Sequence, residues 1–168
     1  MSENNRAWLP GPWLLHVDVY GDPVGQPRHR STRDGRHYIR SKHPVRKWRQ
    51  LIEDACREQW GSKPPLSGAI EVDMDFFFAL PKDKKLREKR SGTPHTLKPD
   101  KDNLEKAVLD SLVRAGVIAD DKNVFYGRTR KMWRADSGGS LIGFVPGLIL
   151  TIRQWELVDD WRSSWRRS

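Results

Sequence analysis

Apolar residues recur along this chain with two periods, and the places where one gives way to the other mark out its elements. Leu14–Tyr20 alternates apolar and polar and predicts a first strand. Gly21–Arg30 is punctuated by Gly and Pro and reads as a loop, and Asp34–Gly35 as a hairpin turn with His37–Arg40 returning. From Pro44 to Trp60, the residues Val45, Trp48, Leu51, Ile52, Ala55 and Cys56 keep helical spacing, with Pro44 suited to a first turn. Lys63–Gly68 breaks the chain. Ala69–Leu80 then alternates strictly, placing Ile70, Val72, Met74, Phe76, Phe78 and Leu80 on one face of a strand. Lys82–Pro99 shows no period and is expected to be an exposed loop. Asn103–Ala115 carries a helical stripe of Leu104, Ala107, Val108, Ser111, Leu112 and Ala115, stopped by Gly116. Val117–Ala119 is short and extended, Val124–Trp133 a strand, Asp136–Ser140 a turn and Leu148–Trp155 the last strand. Strands and helices without regular alternation predict an α+β domain: a small mixed sheet with two main helices on one face.

The 168 residues suit one domain, expected over 1–158, followed by a basic tail over 159–168. Eight Trp, five Phe and three Tyr are too many for a disordered chain, even at 32% charged residues. No apolar run reaches the roughly 18 residues of a membrane span, and the first residues lack a signal-peptide pattern, so a cytoplasmic protein is expected. Cys56 is the single cysteine, which excludes an internal disulfide and a cysteine-based zinc site.

The net charge of +9 is unevenly placed. Arg28–Arg49 holds nine bases against the single acid Asp34, and Lys82–Arg90 holds six bases against two acids. The tail adds Arg162, Arg166 and Arg167. Such density favours phosphate neutralisation, hence DNA or RNA, over a solvated surface kept only for solubility.

Against this background, Lys98–Asn123 concentrates carboxylates. Asp100 and Asp102 are two apart, and an extended backbone would point both the same way. Asp102 fits an N-cap, with Glu105 as its capping-box partner. Lys106 and Asp110 follow Asp102 at i+4 and i+8, on the helix face opposite Leu104 and Val108. Adjacent Asp120 and Asp121 would face opposite sides, so one of them joins the first two acids. Taken singly, these are ordinary caps, surface ion pairs and a turn. Together they place repelling charges inside a phosphate-seeking surface, a conflict that a divalent cation resolves. Three carboxylates are hard ligands of the kind Mg²⁺ or Mn²⁺ takes. Lys106 is placed to stabilise charge on a reacting phosphate, or else to pair with Asp102 or Asp110. Asp73 and Asp75 read as half-exposed strand acids, His95 as an exposed loop histidine, and Trp48 and Trp60 as core. Trp161 and Trp165 are candidates for docking on a partner.

The pattern Asp100, Asp102, Asn103, Leu104, Lys106, Ala107, Asp110, Leu112, Ala115, Gly116, Asp120, Asp121 closely resembles the RusA family of Holliday junction resolvases, phage- and prophage-associated endodeoxyribonucleases. The match is densest over Lys98–Val124 and extends to Gly21–Arg30 and Arg128–Met132. The resemblance implies Asp100, Asp102 and Asp121 as metal-binding catalytic aspartates, Lys106 as the essential lysine, and Asp110 and Asp120 in support. It implies a segment-exchanged homodimer that nicks branched DNA, the four-way junction above all, with Mg²⁺ or Mn²⁺. Arg28, Arg30, Lys98 and Lys101 are the candidate DNA contacts. The basic stretch Lys82–His95 and the extension Asp159–Ser168 are additions to the short family members, and both bear on substrate choice. The competing readings are a non-catalytic nucleic-acid-binding protein and a nuclease preferring flaps or forks.

Overall fold

A computed structural model describes residues 6–27, 42–135 and 145–159, with the backbone of 30–31 and 37–38. Arg28, the side chain of Arg30, the Asp34–Gly35 and Asp136–Ser140 turns and the tail with Trp161 and Trp165 lie outside the described residues. The elements in order are β1 (Arg6–Tyr20), β2 (Arg30–Ser31), β3 (His37–Tyr38), α1 (Val45–Trp60), β4 (Ile70–Phe78), α2 (Lys84–Arg90), α3 (Lys101–Ala115), a 3-10 turn (Asp121–Asn123), β5 (Val124–Tyr126), β6 (Thr129–Trp133) and β7 (Gly147–Asp159).

The domain is α+β. Its mixed sheet runs β1-β7-β4-β5, and β6 pairs the same edge of β4 beyond β5. Strand β7 is antiparallel to both β1 and β4, while β5 and β6 are parallel to β4. Period-two alternation gives the sheet two unlike faces. Val72, Met74 and Phe76 of β4 join Leu15, Val17 and Val19 of β1 and Leu148, Leu150 and Ile152 of β7 in the core. Trp48, Ile52 and Cys56 of α1 and Leu104, Val108 and Leu112 of α3 complete it from the helix side. Trp48 and Trp60 are core residues, as the periodicity predicted. On the other face stand ion pairs: Glu71 with Arg153, Asp73 with Arg128 and Asp75 with Arg130. The two strand acids expected to be half-exposed are thus held by cations presented from the β5–β6 edge.

Four expectations need correction. The Lys82–Pro99 loop contains α2, too polar to show a stripe but opened by Asp83, whose side chain accepts from the Leu86 N–H at 2.9 Å. The strand expected over Val124–Trp133 is broken into β5 and β6 at Gly127. There φ is +157°, and a Cβ would lie 2.0 Å from the Val72 carbonyl oxygen, so only glycine passes. His95 is buried, its ring stacked on Phe78 with centroids 3.9 Å apart and tilted against Trp133 at 4.2 Å. His95 donates to the Lys131 carbonyl of β6, Gly92 to the Arg134 carbonyl just past it, and the Thr93 carbonyl accepts from Trp133, which carries the histidine inward. Finally, Asp100 and not Asp102 is the N-cap residue of α3, so the capping box with Glu105 does not form.

Candidate active site

The site is organised by α3. At about 100° per residue, Leu104, Ala107, Val108, Ser111 and Leu112 face the core. Asp102 and Lys106 then fall on the outward crest, with Asn103 and Asp110 on one flank and Glu105 and Leu109 on the other. Both crest residues are exposed, the Lys106 side chain at 52%. A groove runs along each flank.

The first groove, about 640 Å³, is lined by Gly25, Gln26, Pro27, Lys98, Pro99, Asp100 and Asn103. It forms because the Pro-rich loop after β1 is tied down on α3. The Gln26 N–H donates to the Asn103 carbonyl at 2.8 Å, and a Cβ on Gly25 would come within 2.8 Å of Pro99. Below it, Arg49 of α1 donates to both the Gln26 side-chain oxygen and Asp110 Oδ2. Burial pulls the Arg49 guanidinium below its ordinary value, and Asp110 opposes that. Lys106 Nζ lies 3.7 Å from the other Asp110 oxygen. Asp110 therefore connects the buried network to the exposed lysine.

Asp100 is exposed, lines the first groove, and makes no side-chain capping hydrogen bond. Its backbone is held from β6: Lys131 Nζ donates to the carbonyl oxygens of Leu97 and Pro99, both at 2.6 Å. Burial lowers the Lys131 pKa, and the nearby Asp100 charge partly restores it. Lys131, Gln26 and Arg49 were missed by sequence reasoning. The signal for Lys131 was available, since alternation in β6 puts it on the inward face with Trp133.

The structure brings Asp100, Asp102, Lys98 and Lys106 to one end and one crest of a single helix. Lys101 is exposed on the next position, 3.5 Å from Glu105. Asp121 arrives differently. The Leu66–Ile118 bridge guides the chain back, Asp120 caps the 3-10 turn by accepting from the Lys122 N–H, and Asp121 opens that turn. That hydrogen bond, with the Lys122 side chain assisting, holds the Asp120 carboxyl below its ordinary value. Asp121 precedes Val124, which pairs with Ile70, whereas Lys131 beneath Asp100 pairs with Phe76, so the two acids are anchored at different levels of β4. Among the described residues, no three His, Cys, Asp or Glu side chains come together as a metal cluster. What this end of α3 offers is two exposed carboxylates, Asp102 on the crest and Asp100 at the helix entry in the first groove. That donor set fits Mg²⁺, which binds through one or two carboxylates and fills its other positions with water and phosphate.

A family model described as Endodeoxyribonuclease RusA matches residues 20–140. The chain belongs to the RusA endodeoxyribonuclease family. The match covers most of the 168 residues and takes in the Pro-rich loop, both main helices and β4 to β6. It spans the crest of α3 and both flanking grooves, and the family is one of Holliday junction-resolving endonucleases. A comparison with curated proteins returned no match. Among the described residues, no helix is long and apolar enough to cross a membrane.

Proposed function

We propose that this RusA-family protein is a divalent-metal-dependent endonuclease that resolves four-way DNA junctions by paired phosphodiester hydrolysis, acting as a homodimer on cytoplasmic DNA. The observation that carries the reading is the N-terminal end of α3: Asp102 and Lys106 stand exposed on its crest and Asp100 lines the groove beside it, on a protein of net charge +9. A strand crossing the crest sets its phosphate against both carboxylates and the lysine. Asp100 and Asp102 would hold Mg²⁺, or Mn²⁺ in its place; Asp121, which forms no cluster with them in the single chain, would be a third carboxylate only in the assembled complex. When bound, the cation would polarise the phosphate and favour the attack of water. Lys106, oriented by Asp110, offsets charge on the leaving oxygen. Lys98 and Lys101, together with Arg28 and Arg30, would grip neighbouring phosphates. Exposed Trp8, Trp13 and Leu157 on the β1–β7 ribbon supply apolar surface for the second subunit.

The test is cleavage of four-way, three-way and flapped substrates with Mg²⁺ or Mn²⁺ titrated. Asp100→Asn and Asp102→Asn each lower cutting by at least about 10²-fold while binding is retained or tightened, because a charge repelling phosphate has gone. Asp121→Asn has the same effect if its carboxylate completes the set. No cleavage of any branched substrate by the wild type would leave a nucleic-acid-binding protein instead, and faster cutting of flaps or forks would reassign the substrate.

A further inference from the structure

Helix α2 reads KKLREKR: every residue but Leu86 and Glu88 is a base, and none is buried. Its two sides differ. Arg87 and Arg90, three positions apart, are half-buried and turned inward, with the Arg90 guanidinium 4.9 Å from the centre of the Trp133 ring. Lys85 and Lys89, four positions apart, fall on the opposite side of the helix and are exposed. Neither pairs with a carboxylate among the described residues, and like charges at this spacing repel one another along a helix. The helix is firmly tied to the site. Beyond it, Gly92, Thr93 and His95 bond in turn to Arg134, Trp133 and Lys131, and Pro94 bridges antiparallel to Met132. Lys131 then takes up the Leu97 and Pro99 carbonyls just before Asp100. One ladder on β6 thus fixes α2 and the entry to α3 in a single frame.

We propose that the outer side of α2 grips the phosphate backbone of the duplex arm leading away from the cleaved bond, with Lys85 and Lys89 as its contacts. The proposal rests on the nuclease reading above and extends the DNA surface well beyond Lys98 and Lys101. The charge fits: lysines bind backbone phosphates as point cations and position a duplex without reading its sequence. The spacing fits too. Four helical residues rise about 6 Å, so the pair meets separate phosphates of one strand, which advance about 3.4 Å per step along the axis. Phosphates also relieve the repulsion between the two lysines, which a surface kept for solubility would leave in place. A lipid surface is a poorer match, because Leu86 is the one apolar side chain α2 could bury. The tether sets a limit on position. Lys89 precedes Asp100 by eleven residues, a reach of at most about 40 Å, so the gripped phosphates lie within about 12 base pairs of the cut.

Two measurements on synthetic four-way junctions test this. In EDTA, where nothing is cut, Lys85→Ala/Lys89→Ala binds roughly tenfold more weakly than wild type at about 0.1 M salt. Its plot of log affinity against log salt is also shallower, by about 2. Neutral methylphosphonates are then placed one at a time along each arm. The wild type loses affinity at one or two positions within about 12 base pairs of the bond it nicks in Mg²⁺, and the double variant shows no loss there. Equal affinities and slopes, or sensitive positions only farther from the nick, would overturn the α2 assignment and leave the nuclease intact. So would weaker binding with the same methylphosphonate pattern in both proteins, which is the mark of net charge alone. Lysine-dependent positions on a junction that the wild type never nicks would keep the α2 contact and sink the nuclease reading.

Discussion

Lys131→Met cuts the tie between β6 and the segment that delivers Asp100. The ammonium makes two hydrogen bonds of 2.6 Å, to the carbonyl oxygens of Leu97 and Pro99, and charge-assisted bonds are worth about 1.5–3 kcal/mol each. Burial of the ammonium opposes this, as its lowered pKa records, and the Asp100 charge restores part of the loss. A net cost of roughly 2 kcal/mol follows, which for a chain of this length is a fall in melting temperature of roughly 4–8 °C. The larger effect falls on activity. Pro99 immediately precedes Asp100, so releasing its carbonyl shifts the carboxylate, and a displacement of about 1 Å at a reacting group can cost about 10²-fold. Thermal unfolding gives the first number and single-turnover nicking of a four-way junction in Mg²⁺ the second. Binding of the uncut junction in EDTA should stay near wild type, since Lys131 is placed to position Asp100 and not to grip DNA. A variant that melts within about 1 °C of wild type and nicks at an unchanged rate would refute the reasoning.

Three further outcomes follow from buried groups. His95 is held neutral, chiefly by burial and then by Lys131 and Arg90, so its folded pKa lies below the ordinary 6.5. The unfolded chain takes up a proton that the fold refuses, so His95 costs stability as pH falls below about 6.5, by at most about 1.4 kcal/mol per pH unit. His95→Leu should therefore lose less stability than wild type between pH 7 and pH 5 in urea unfolding, and parallel losses would contradict this. Arg49→Met leaves Asp110 facing Gln26 and Lys106 alone; with the arginine side chain 6% exposed and Asp110 26%, the cost is roughly 3 kcal/mol, partly recovered in Arg49→Met/Asp110→Leu. Strict additivity of the two substitutions in denaturant titrations would show that they are not coupled. Cys56 is fully buried and its thiol is pushed up to about 12, chiefly by burial, so the native protein should resist iodoacetamide near pH 7 and react only once denatured, as mass spectrometry would show.

Much of the framework was written in one dimension. Alternation marked β4 and the ends of β1 and β7, helical stripes marked α1 and α3, and both kinds of pattern arise because one side of each element must leave water. The spacing Asp100, Asp102, Lys106 likewise required only the geometry of a helix and its entry to place the three at one end of α3. What alternation and helical spacing could not supply were contacts between distant segments. Helix α2 is capped by Asp83 but has no apolar face to announce it, and the break at Gly127 exists because Val72 of another strand passes too close for a side chain. His95 is polar and lies in a polar stretch, yet it is buried because backbone pairing with β6 carries it between Phe78 and Trp133. Lys131 beneath Asp100 and Arg49 beneath Asp110 join residues 31 and 61 positions apart. Local periodicity reports which side of an element is dry; only the packing of elements reports which polar groups meet.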